Sequence, residues 1–227
     1  VCTDQKYHIL FLGPPGSGKG TYAERIAGEL DLCHIATGNI LREKVEKGDE
    51  LSEAISSRID KGELVPDEMI IGILKDVLSS EEILKGFTLD GFPRTMPQAK
   101  ILDSMVEDFC WDIDFIFYVW AEKEKIIERI VNRVQCENCG AVYNMKDNPP
   151  ENDSICDVCG HHMQHRPDDN KKVVQHRFEV FERETAPVVE HYSSHPGFFK
   201  IYTGGPIGLA EKEMLSIIQG EERDDRA

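Results

Sequence analysis

A glycine-rich loop is the first stretch of this chain whose residue types and spacing indicate chemistry. The segment GPPGSGKGT follows the apolar run YHILFLG directly and leads into the helical pattern GTYAERIAGEL. Its glycines let the backbone curl so that successive N–H groups point at phosphate oxygens, and the next helix adds its positive dipole end. Lys19 supplies a full charge for the β- and γ-phosphates. The context predicts a nucleoside triphosphate site made of Gly13, Pro14, Pro15, Gly16, Ser17, Gly18, Lys19, Gly20 and Thr21.

Further polar residues follow the other predicted strands or lie at the margins of two interruptions in the pattern. They are Thr37, Arg42, Asp90, Gly91, Arg94, Gln98, Arg129, Arg133, Arg166 and Arg177. Ligands of parallel α/β sheets bind beyond the carboxyl ends of the strands, so these residues are expected to gather at one edge of the sheet. Six arginines at such positions, in a chain with 42 acidic residues, favour an anion site over ordinary solvated side chains.

Four of the seven cysteines form two Cys-x-x-Cys pairs with sixteen residues between them. This spacing is typical of tetrahedral zinc, and four thiolates complete the coordination shell without an open position for water. The metal is therefore predicted to be structural, with zinc favoured and iron or cobalt as alternatives. Backbone N–H groups after the two Cys-Gly turns are expected to offset the negative charge of the thiolates. The ligands would be Cys136, Cys139, Cys156 and Cys159.

We expect no role in metal binding for three histidines close to these pairs in sequence, or for the other three cysteines. The histidines, expected on the surface, are His161, His162 and His165. The cysteines, expected to be ordinary thiols, are Cys2, Cys33 and Cys110.

Short apolar runs alternate with helical stretches, which predicts a parallel sheet with helices on both faces. The strand candidates are YHILFLG, CHIA, FTLD, DFIFYVW and GFFKIY. The stretch EKEKIIERIVNRV places Ile126, Ile127, Ile130 and Val134 on one predicted helical face. Residues 39–79 hold two or three helical stretches with no strand, and Asp67 is a candidate N-cap there. Residues 135–165 hold the cysteine pairs, and both segments are interpreted as insertions on the sheet core.

Composition and charge exclude some classes of protein. The 227 residues, 40% of them apolar, suffice for one domain with an insertion or for one large and one small domain. The formal charge of -16 argues against general nucleic-acid affinity, which needs a basic surface. No apolar run approaches the roughly 18 residues of a membrane span, and the first residues lack a signal-peptide layout. We therefore expect reduced cysteines, a cytoplasmic location and no membrane contact. A monomer is expected because no exposed apolar stripe is evident.

Taken together, the motifs resemble those of the adenylate kinase family. The resemblance runs from ILFLGPPGSGKGT through IATGNILR, LVPDE, LDGFPRT-x-PQA and RIVNR to RPDD and the closing helix. Within the family, the sequence most resembles the long-lid form, whose lid carries four metal-binding cysteines. The implied architecture is the P-loop nucleoside monophosphate kinase fold, an α/β core with a five-stranded parallel sheet flanked by helices. The implied ranges are 1–38, 80–134 and 166–227 for the core, 39–79 for the NMP-binding insertion and 135–165 for the lid.

The resemblance also implies a reaction, the reversible Mg²⁺-dependent conversion of ATP and AMP into two ADP. The attacking phosphate oxygen of AMP is already ionised at neutral pH, so no general base is needed. Transfer then depends on in-line positioning and on neutralising the equatorial oxygens, for which planar guanidinium groups are well suited. A closing lid would exclude water, so that AMP takes the phosphoryl group.

Residue roles are carried over by the same resemblance. The loop from Gly13 to Thr21 would hold the ATP phosphates, together with Arg129 and Arg133. Arg42 and Arg94 would pair with the AMP phosphate, and Gln98 would read the adenine edge. The full AMP set would be Thr37, Gly38, Arg42, Val65, Gly91, Arg94, Gln98, Arg166 and Arg177. The groups acting on the transferring phosphoryl group would be Lys19, Arg94, Arg129, Arg133, Arg166 and Arg177, with Asp90 holding Mg²⁺ through water.

Some residues depart from the family pattern, and two other functions stay open. Asn39, Asn132, Lys172 and Tyr22 stand where Asp, Gly, Glu and Gln are usual. One alternative is a kinase for GMP, CMP or UMP, which the resemblance disfavours through Thr37, Gln98 and the long lid. The other is a zinc-ribbon module that binds nucleic acid. It is disfavoured because the interval between the cysteine pairs contains one cation, Lys146.

Replacing Arg133 with alanine is expected to lower kcat far more than it weakens ATP binding. The guanidinium group would act chiefly on charge that develops during transfer, and losing one such group costs about 3–4 kcal/mol of barrier. Steady-state kinetics combined with equilibrium ATP binding measures the two effects separately. An unchanged kcat in Arg133→Ala would remove this residue from the catalytic set.

Overall fold

A five-stranded parallel sheet is the centre of the fold. The computed structural model describes residues 6–46, 50–152, 154–166 and 168–220, so Cys2 lies outside the described residues. The strands are β1 (His8–Leu12), β2 (Cys33–Ala36), β3 (Phe87–Asp90), β4 (Phe115–Trp120) and β8 (Phe198–Tyr202), in the order β2-β3-β1-β4-β8. Every neighbouring pair is parallel. The fold class and all five strands predicted from the sequence are confirmed.

Helices fill the connections between these strands. They are α1 (Lys19–Glu29), α2 (Thr37–Glu46), α3 (Glu50–Lys61), α4 (Asp67–Leu78), α5 (Met96–Asp108), α6 (Lys123–Val131), α7 (Lys171–Val180), α8 (Ala186–Tyr192) and α9 (Ile207–Gln219). A 3-10 turn at Glu81–Lys85 precedes β3, and a π-helical turn at Phe181–Thr185 joins α7 to α8. Within the described ranges, no helix has the length and apolar character required to cross a membrane.

The core lies between the sheet and the helices. One cluster joins alternate residues of β1, Ile9 and Phe11, to Ile26 of α1 and Met214 of α9. Ile9, Ile26 and Met214 are fully buried. The next residue of the strand, Leu10, points to the opposite face and is fully buried as well, because a parallel sheet is covered on both sides. This double burial explains why β1 is a continuous apolar run in the sequence.

The strand register brings three chain segments to one edge of the sheet. Asp90 is the last residue of β3, and it pairs with Phe11 of β1 on one side and with Ala36 of β2 on the other. The glycine-rich loop leaves β1 one residue later, and Thr37 follows Ala36 directly. The loop therefore begins where the chain connections diverge to the two sides of β1, the position at which open α/β sheets bind ligands.

Contacts divide the chain into two compact units. The first consists of the described parts of Val1–Gly38, Pro66–Ala121 and Phe181–Ala227, and it contains the parallel sheet. The second consists of the described parts of Asn39–Val65 and Glu122–Val180. It contains an antiparallel sheet of β5 (Arg133–Cys136), β6 (Val142–Asn144) and β7 (Met163–Gln164), in the order β6-β5-β7. The division into core, NMP-binding insertion and lid remains a prediction.

Two local predictions from the sequence are wrong. Helix α6 ends at Val131, and Val134 lies in β5 rather than on the helical face. The Asn132 side chain donates to the backbone carbonyl of Glu128. The backbone carbonyl of Asn132 accepts from the backbone N–H of Met145, so the chain turns out of the helix here. Asp67 is the first helical residue of α4 and not its N-cap, which is Pro66.

Candidate active site

The glycine-rich loop is fixed by the strands around it and by its own backbone. A Cβ atom at Gly13, where φ is +142°, would lie 2.1 Å from the Val119 carbonyl oxygen of β4, so this close approach requires glycine. The Pro14 carbonyl accepts from Lys19 Nζ at 2.8 Å and from the Ser17 amide at 3.3 Å. The lysine amine thus lies across the loop, where a phosphate would meet it.

A buried threonine after β8 is hydrogen-bonded to the glycine-rich loop. Thr203 Oγ1 lies 2.9 Å from the Ser17 carbonyl oxygen and 3.0 Å from that of Trp120, and its single proton is shared between them. The backbone N–H of Thr203 also donates to the Trp120 carbonyl oxygen at 2.8 Å. Ser17 and Thr203 are 0% and 1% exposed, so the loop is held by groups that water cannot replace.

Asp90 occupies the space that a side chain at position 20 would need. A Cβ atom at Gly20 would lie 3.0 Å from Asp90 Oδ2. The common phosphate-binding loop has Ser or Thr at this position, and its hydroxyl binds Mg²⁺. Here the Asp90 carboxylate, at the end of β3, lies beside that position, and carboxylate oxygens are ligands that Mg²⁺ accepts. The residues present therefore fit a magnesium-bound nucleotide.

A second group of polar residues is connected by hydrogen bonds to the end of β3. Thr37 Oγ1 donates to the Asp90 carbonyl at 3.1 Å, and Arg94 Nε donates to the Gly91 carbonyl at 2.8 Å. The Arg94 carbonyl accepts from Thr185 Oγ1 at 2.8 Å. Thr37 is 2% exposed, and Gly38 follows it in the first turn of α2. This part of the first unit can present the terminal nitrogens of the Arg94 guanidinium group to an anion, while the Thr37 hydroxyl proton is used to hold α2 to the end of β3.

Two buried carboxylates hold two of the predicted arginines in the second unit. Arg133 donates to Asp169 with Nε and a terminal nitrogen, which is a bidentate pair. Arg177 donates to Asp168 at 2.8 Å and lies 3.8 Å from Asp169. The Asp169 side chain is 1% exposed. The bidentate pair fixes the direction of the Arg133 guanidinium group, because its fork geometry permits few orientations, and Arg177 is held through one terminal nitrogen.

Arg166 lies among like charges. Burial, followed by the neighbouring Arg133 and Arg42 cations, lowers the pKa of Arg166 to about 9, while Asp169 and Asp168 act in the opposite direction. Its Nε donates to the Gln135 side-chain oxygen of β5. The group remains charged at neutral pH, so a cation is held where additional negative charge would be favourable.

Three further predicted residues also belong to the second unit. Arg42 donates to Asn39 Oδ1 at 2.7 Å within α2. Arg129 Nε lies 3.6 Å from Asp147 Oδ2, and its carbonyl accepts from the Asn144 side chain. Val65 is 8% exposed and precedes Pro66 at the boundary of the unit. Asn39, which departs from the family pattern, therefore orients the adjacent arginine.

The four paired cysteines converge on one point beside the small sheet. Their sulfur atoms all lie within 4.8 Å of one another. Cys136 Sγ lies 3.4 Å from Cys159 Sγ, and Cys139 Sγ lies 3.5 Å from Cys156 Sγ. Tetrahedral zinc with Zn–S bonds near 2.3 Å places its sulfurs about 3.8 Å apart. The cluster therefore has the dimensions of a four-thiolate zinc site.

The two Cys-x-x-Cys turns have the same backbone construction. Gly140 and Gly160 have φ angles of 73° and 72°, and their amides donate to the Cys136 and Cys156 carbonyls. The backbone N–H of His161 is the largest of several hydrogen bonds that lower the pKa of Cys159 to about 5, against burial, which raises it. The Ala141 N–H lowers the pKa of Cys139 in the same way, but burial and the neighbouring cysteines raise it to about 12. The expected N–H groups after the Cys-Gly turns are confirmed.

Comparisons with known proteins decide the family. The family model described as "Adenylate kinase" matches residues 11–196. A curated relative of that name from Archaeoglobus fulgidus is 44% identical over 212 residues, which cover 93% of this chain and 98% of the relative. The adenylate kinase of Thermosipho africanus is 42% identical over 212 residues, with 93% and 99% covered. That of Methanocella arvoryzae is 45% identical over 184 residues, with 81% and 85% covered.

The chain belongs to the adenylate kinase family. The recognition made from the motifs is thereby confirmed, as is the P-loop kinase fold with its parallel sheet. The interpretation of the neighbouring histidines is consistent with the structure of this family member, since His161, His162 and His165 are exposed. Cys33 and Cys110 form no disulfide with another described cysteine.

Sequence reasoning missed several residues that position the site of this adenylate kinase family member. They are Asp67, Gln135, Asp168, Asp169, Thr185 and Thr203. Asp168 and Asp169 stand in RPDD, which was used only for recognition. Two acids beside a predicted phosphate-binding arginine could have signalled an ion-pair network. Of the departures from the family pattern, Tyr22 is a 3% exposed core residue, and Lys172 is exposed.

Replacing Asp169 with asparagine is expected to lower the free energy of unfolding by about 3 kcal/mol, because a buried guanidinium group loses its counter-ion. The matched control is Asp31→Asn, which removes the exposed pair with Lys85, whose side chains are 86% and 61% exposed. That change should cost less than about 1 kcal/mol. Chemical denaturation measures both values. Similar small losses in the two variants would show that the Asp169 pair is not a stabilising buried pair.

Proposed function

We propose that this chain catalyses the reversible, Mg²⁺-dependent transfer of the γ-phosphoryl group of ATP to AMP, which yields two ADP. Membership in the adenylate kinase family carries this assignment. The structural observation that supports it best is the position of the Asp90 carboxylate beside Gly20 of the phosphate loop, where a Cβ atom would lie 3.0 Å from Oδ2. The carboxylate is therefore close to the loop position that otherwise carries a magnesium-binding hydroxyl.

The residues proposed for the ATP side are the loop from Gly13 to Thr21, Asp90, Arg129 and Arg133. Backbone N–H groups and Lys19 would bind the phosphates. Magnesium, bound with the nucleotide, would neutralise charge on the β- and γ-phosphates. Asp169 keeps the Arg133 fork oriented without substrate, so little reorganisation is needed when charge develops on the transferring group.

The residues proposed for the AMP side are Thr37, Gly38, Arg42, Val65, Gly91, Arg94, Gln98, Arg166 and Arg177. Arg42 and Arg94 would pair with the phosphate of AMP, and Gln98 would contact the adenine. Arg166 supports this proposal, because burial beside Arg133 and Arg42 lowers its pKa and an incoming phosphate would relieve that repulsion.

The four cysteines would hold a structural zinc ion in the lid, residues 135–165. Among the described residues, the site offers four sulfurs and no other ligand type, so zinc would have no open position for substrate. A small apolar cluster of Val134, Tyr143 and two of the cysteines surrounds it. Such a short segment cannot bury a large core, so a metal would supply much of its stability.

Further features of the proposal rest on the sequence alone. We propose a monomer without affinity for nucleic acid, consistent with the formal charge of -16. The cytoplasmic location and the three-part division into core, NMP-binding insertion and lid also remain predictions.

A panel of acceptors tests the proposed reaction. With Mg²⁺ and ATP, we expect rapid ADP formation with AMP and much slower formation with GMP, CMP or UMP. Lys19→Met should abolish turnover, whereas Lys85→Met, which removes an exposed lysine of an ion pair, should retain it. A coupled assay measures all of these rates. Equal turnover with another monophosphate would favour the kinase alternatives, and no turnover together with tight RNA binding would favour a zinc-ribbon module.

Removing zinc tests the structural role of the cysteine site. We expect a chelator to lower the melting temperature of the lid first, with activity declining only as the lid unfolds, because the metal stabilises a fold and binds no substrate. Circular dichroism and the AMP assay, followed on the same samples, separate the two events. Immediate loss of activity while the lid remains folded would mean that the metal takes part in the chemistry.

A further inference from the structure

Asp67, which has no role in the proposed reaction so far, lies in a closed set of hydrogen bonds with Gln98. Its Oδ1 accepts from Gln98 Nε2 at 2.6 Å, and its Oδ2 accepts from Thr95 Oγ1 at 3.0 Å. Thr95 in turn caps α5, because its Oγ1 accepts from the backbone N–H of Gln98 at 3.3 Å. The first residue of α4 is thus bonded to both the cap and the first turn of α5.

The partners of Gln98 determine which end of its side-chain amide is oxygen and which is nitrogen. Arg94 N–H donates to Gln98 Oε1 at 2.8 Å, and a backbone N–H can only donate. An ionised Asp67 can only accept, so the group facing it must be the NH₂. Gln98 is 3% exposed, and a reversed amide would leave two buried contacts mispaired without water to satisfy them.

Two features of the fold keep this arrangement in place. Asp67 lies in the first turn of α4, where a carboxylate interacts favourably with the positive end of the helix dipole. The Arg94 peptide is fixed from its other side, because its carbonyl accepts from Thr185 Oγ1 at 2.8 Å, and Thr185 is 7% exposed. The donor and the acceptor on either side of Gln98 are therefore both held by secondary structure.

The order of donor and acceptor on Gln98 matters for a purine. An amide has two N–H donors and two oxygen lone pairs, and these contacts use one of each. One donor and one acceptor remain, in a fixed order. Adenine presents an amino donor at position 6 next to an acceptor at N1. Hypoxanthine and guanine present an acceptor at position 6 next to a donor at N1, which is the reverse.

We propose that Asp67 is a positioning residue that determines purine specificity by fixing the polarity of the Gln98 amide. This inference rests on the proposed function, in which Gln98 contacts the adenine of AMP. Asp67 itself does not touch the base. With the amide held in one orientation, its remaining donor and acceptor complement a 6-amino purine. A 6-oxo purine would instead place donor against donor and acceptor against acceptor. Without Asp67, one of the two contacts that oppose reversal of the amide is lost.

The test compares AMP with IMP as acceptors, because these two substrates differ only in the 6-substituent and the N1 proton. In Asp67→Asn, whose side chain can donate as well as accept, the ratio of kcat/KM for AMP to that for IMP should fall by about tenfold or more. Most of the loss for AMP should appear in KM. Asp67→Ser provides a second variant if the first folds poorly.

The control is Thr95→Val, which removes the helix cap and one hydrogen bond to Asp67 but leaves the Asp67–Gln98 contact. Loss of the cap should change the folding equilibrium by roughly fivefold, which corresponds to about 1 kcal/mol of unfolding free energy. The ratio of kcat/KM for AMP to that for IMP should stay unchanged. A purely structural role for Asp67 would reduce turnover of both acceptors equally, and an unchanged ratio in folded Asp67 variants would overturn the inference. A wild-type protein that does not phosphorylate AMP would instead overturn the proposed function.

Discussion

Parallel pairing of β1 with β3 and β4 is the constraint on which the first unit depends. Parallel strands end at the same edge, so the loop after β1, Thr37 after β2 and Asp90 at the end of β3 are brought together by register alone. The close passage of Gly13 to the Val119 carbonyl and the nearness of Gly20 to Asp90 follow from it. Without that register, neither the phosphate loop nor the acid that completes it would have a fixed position.

Charge organises the second unit in the way that backbone pairing organises the first. Under the proposed function, guanidinium groups of this unit would bind phosphates and would therefore have to lie near one another before any phosphate is present. Asp168 and Asp169 offset part of this repulsion and orient Arg177 and Arg133. Burial is the largest cause of the lowered pKa of Arg166, but the Arg133 and Arg42 charges also lower it more than Asp169 and Asp168 raise it, so the compensation is incomplete. An incomplete counter-charge suits a site that must favour an incoming anion and release the product again.

The sequence predicted what depends on local patterns. The five strands follow from apolar runs, the phosphate loop from glycine spacing, and the convergence of the cysteines from two Cys-x-x-Cys pairs. What it did not predict depends on contacts between distant segments. The Asp67 carboxylate binds residues of α5 some thirty positions away, and helical spacing alone suggested a cap. Val134 fits the helical period of α6, but Asn132 ends the helix and β5 begins at Arg133. Short strands such as β6 and β7 leave almost no periodic signal, because they hold three and two residues.

The central claim is that AMP, and not water, receives the phosphoryl group of ATP. Phosphorus NMR of the protein with Mg²⁺ and ATP, recorded first without and then with AMP, tests this directly. The account predicts negligible free phosphate in the first spectrum. In the second, two ADP should form for each ATP consumed, until the same mixture is reached that the protein produces from ADP alone. Release of inorganic phosphate at a rate comparable to ADP formation would contradict the account.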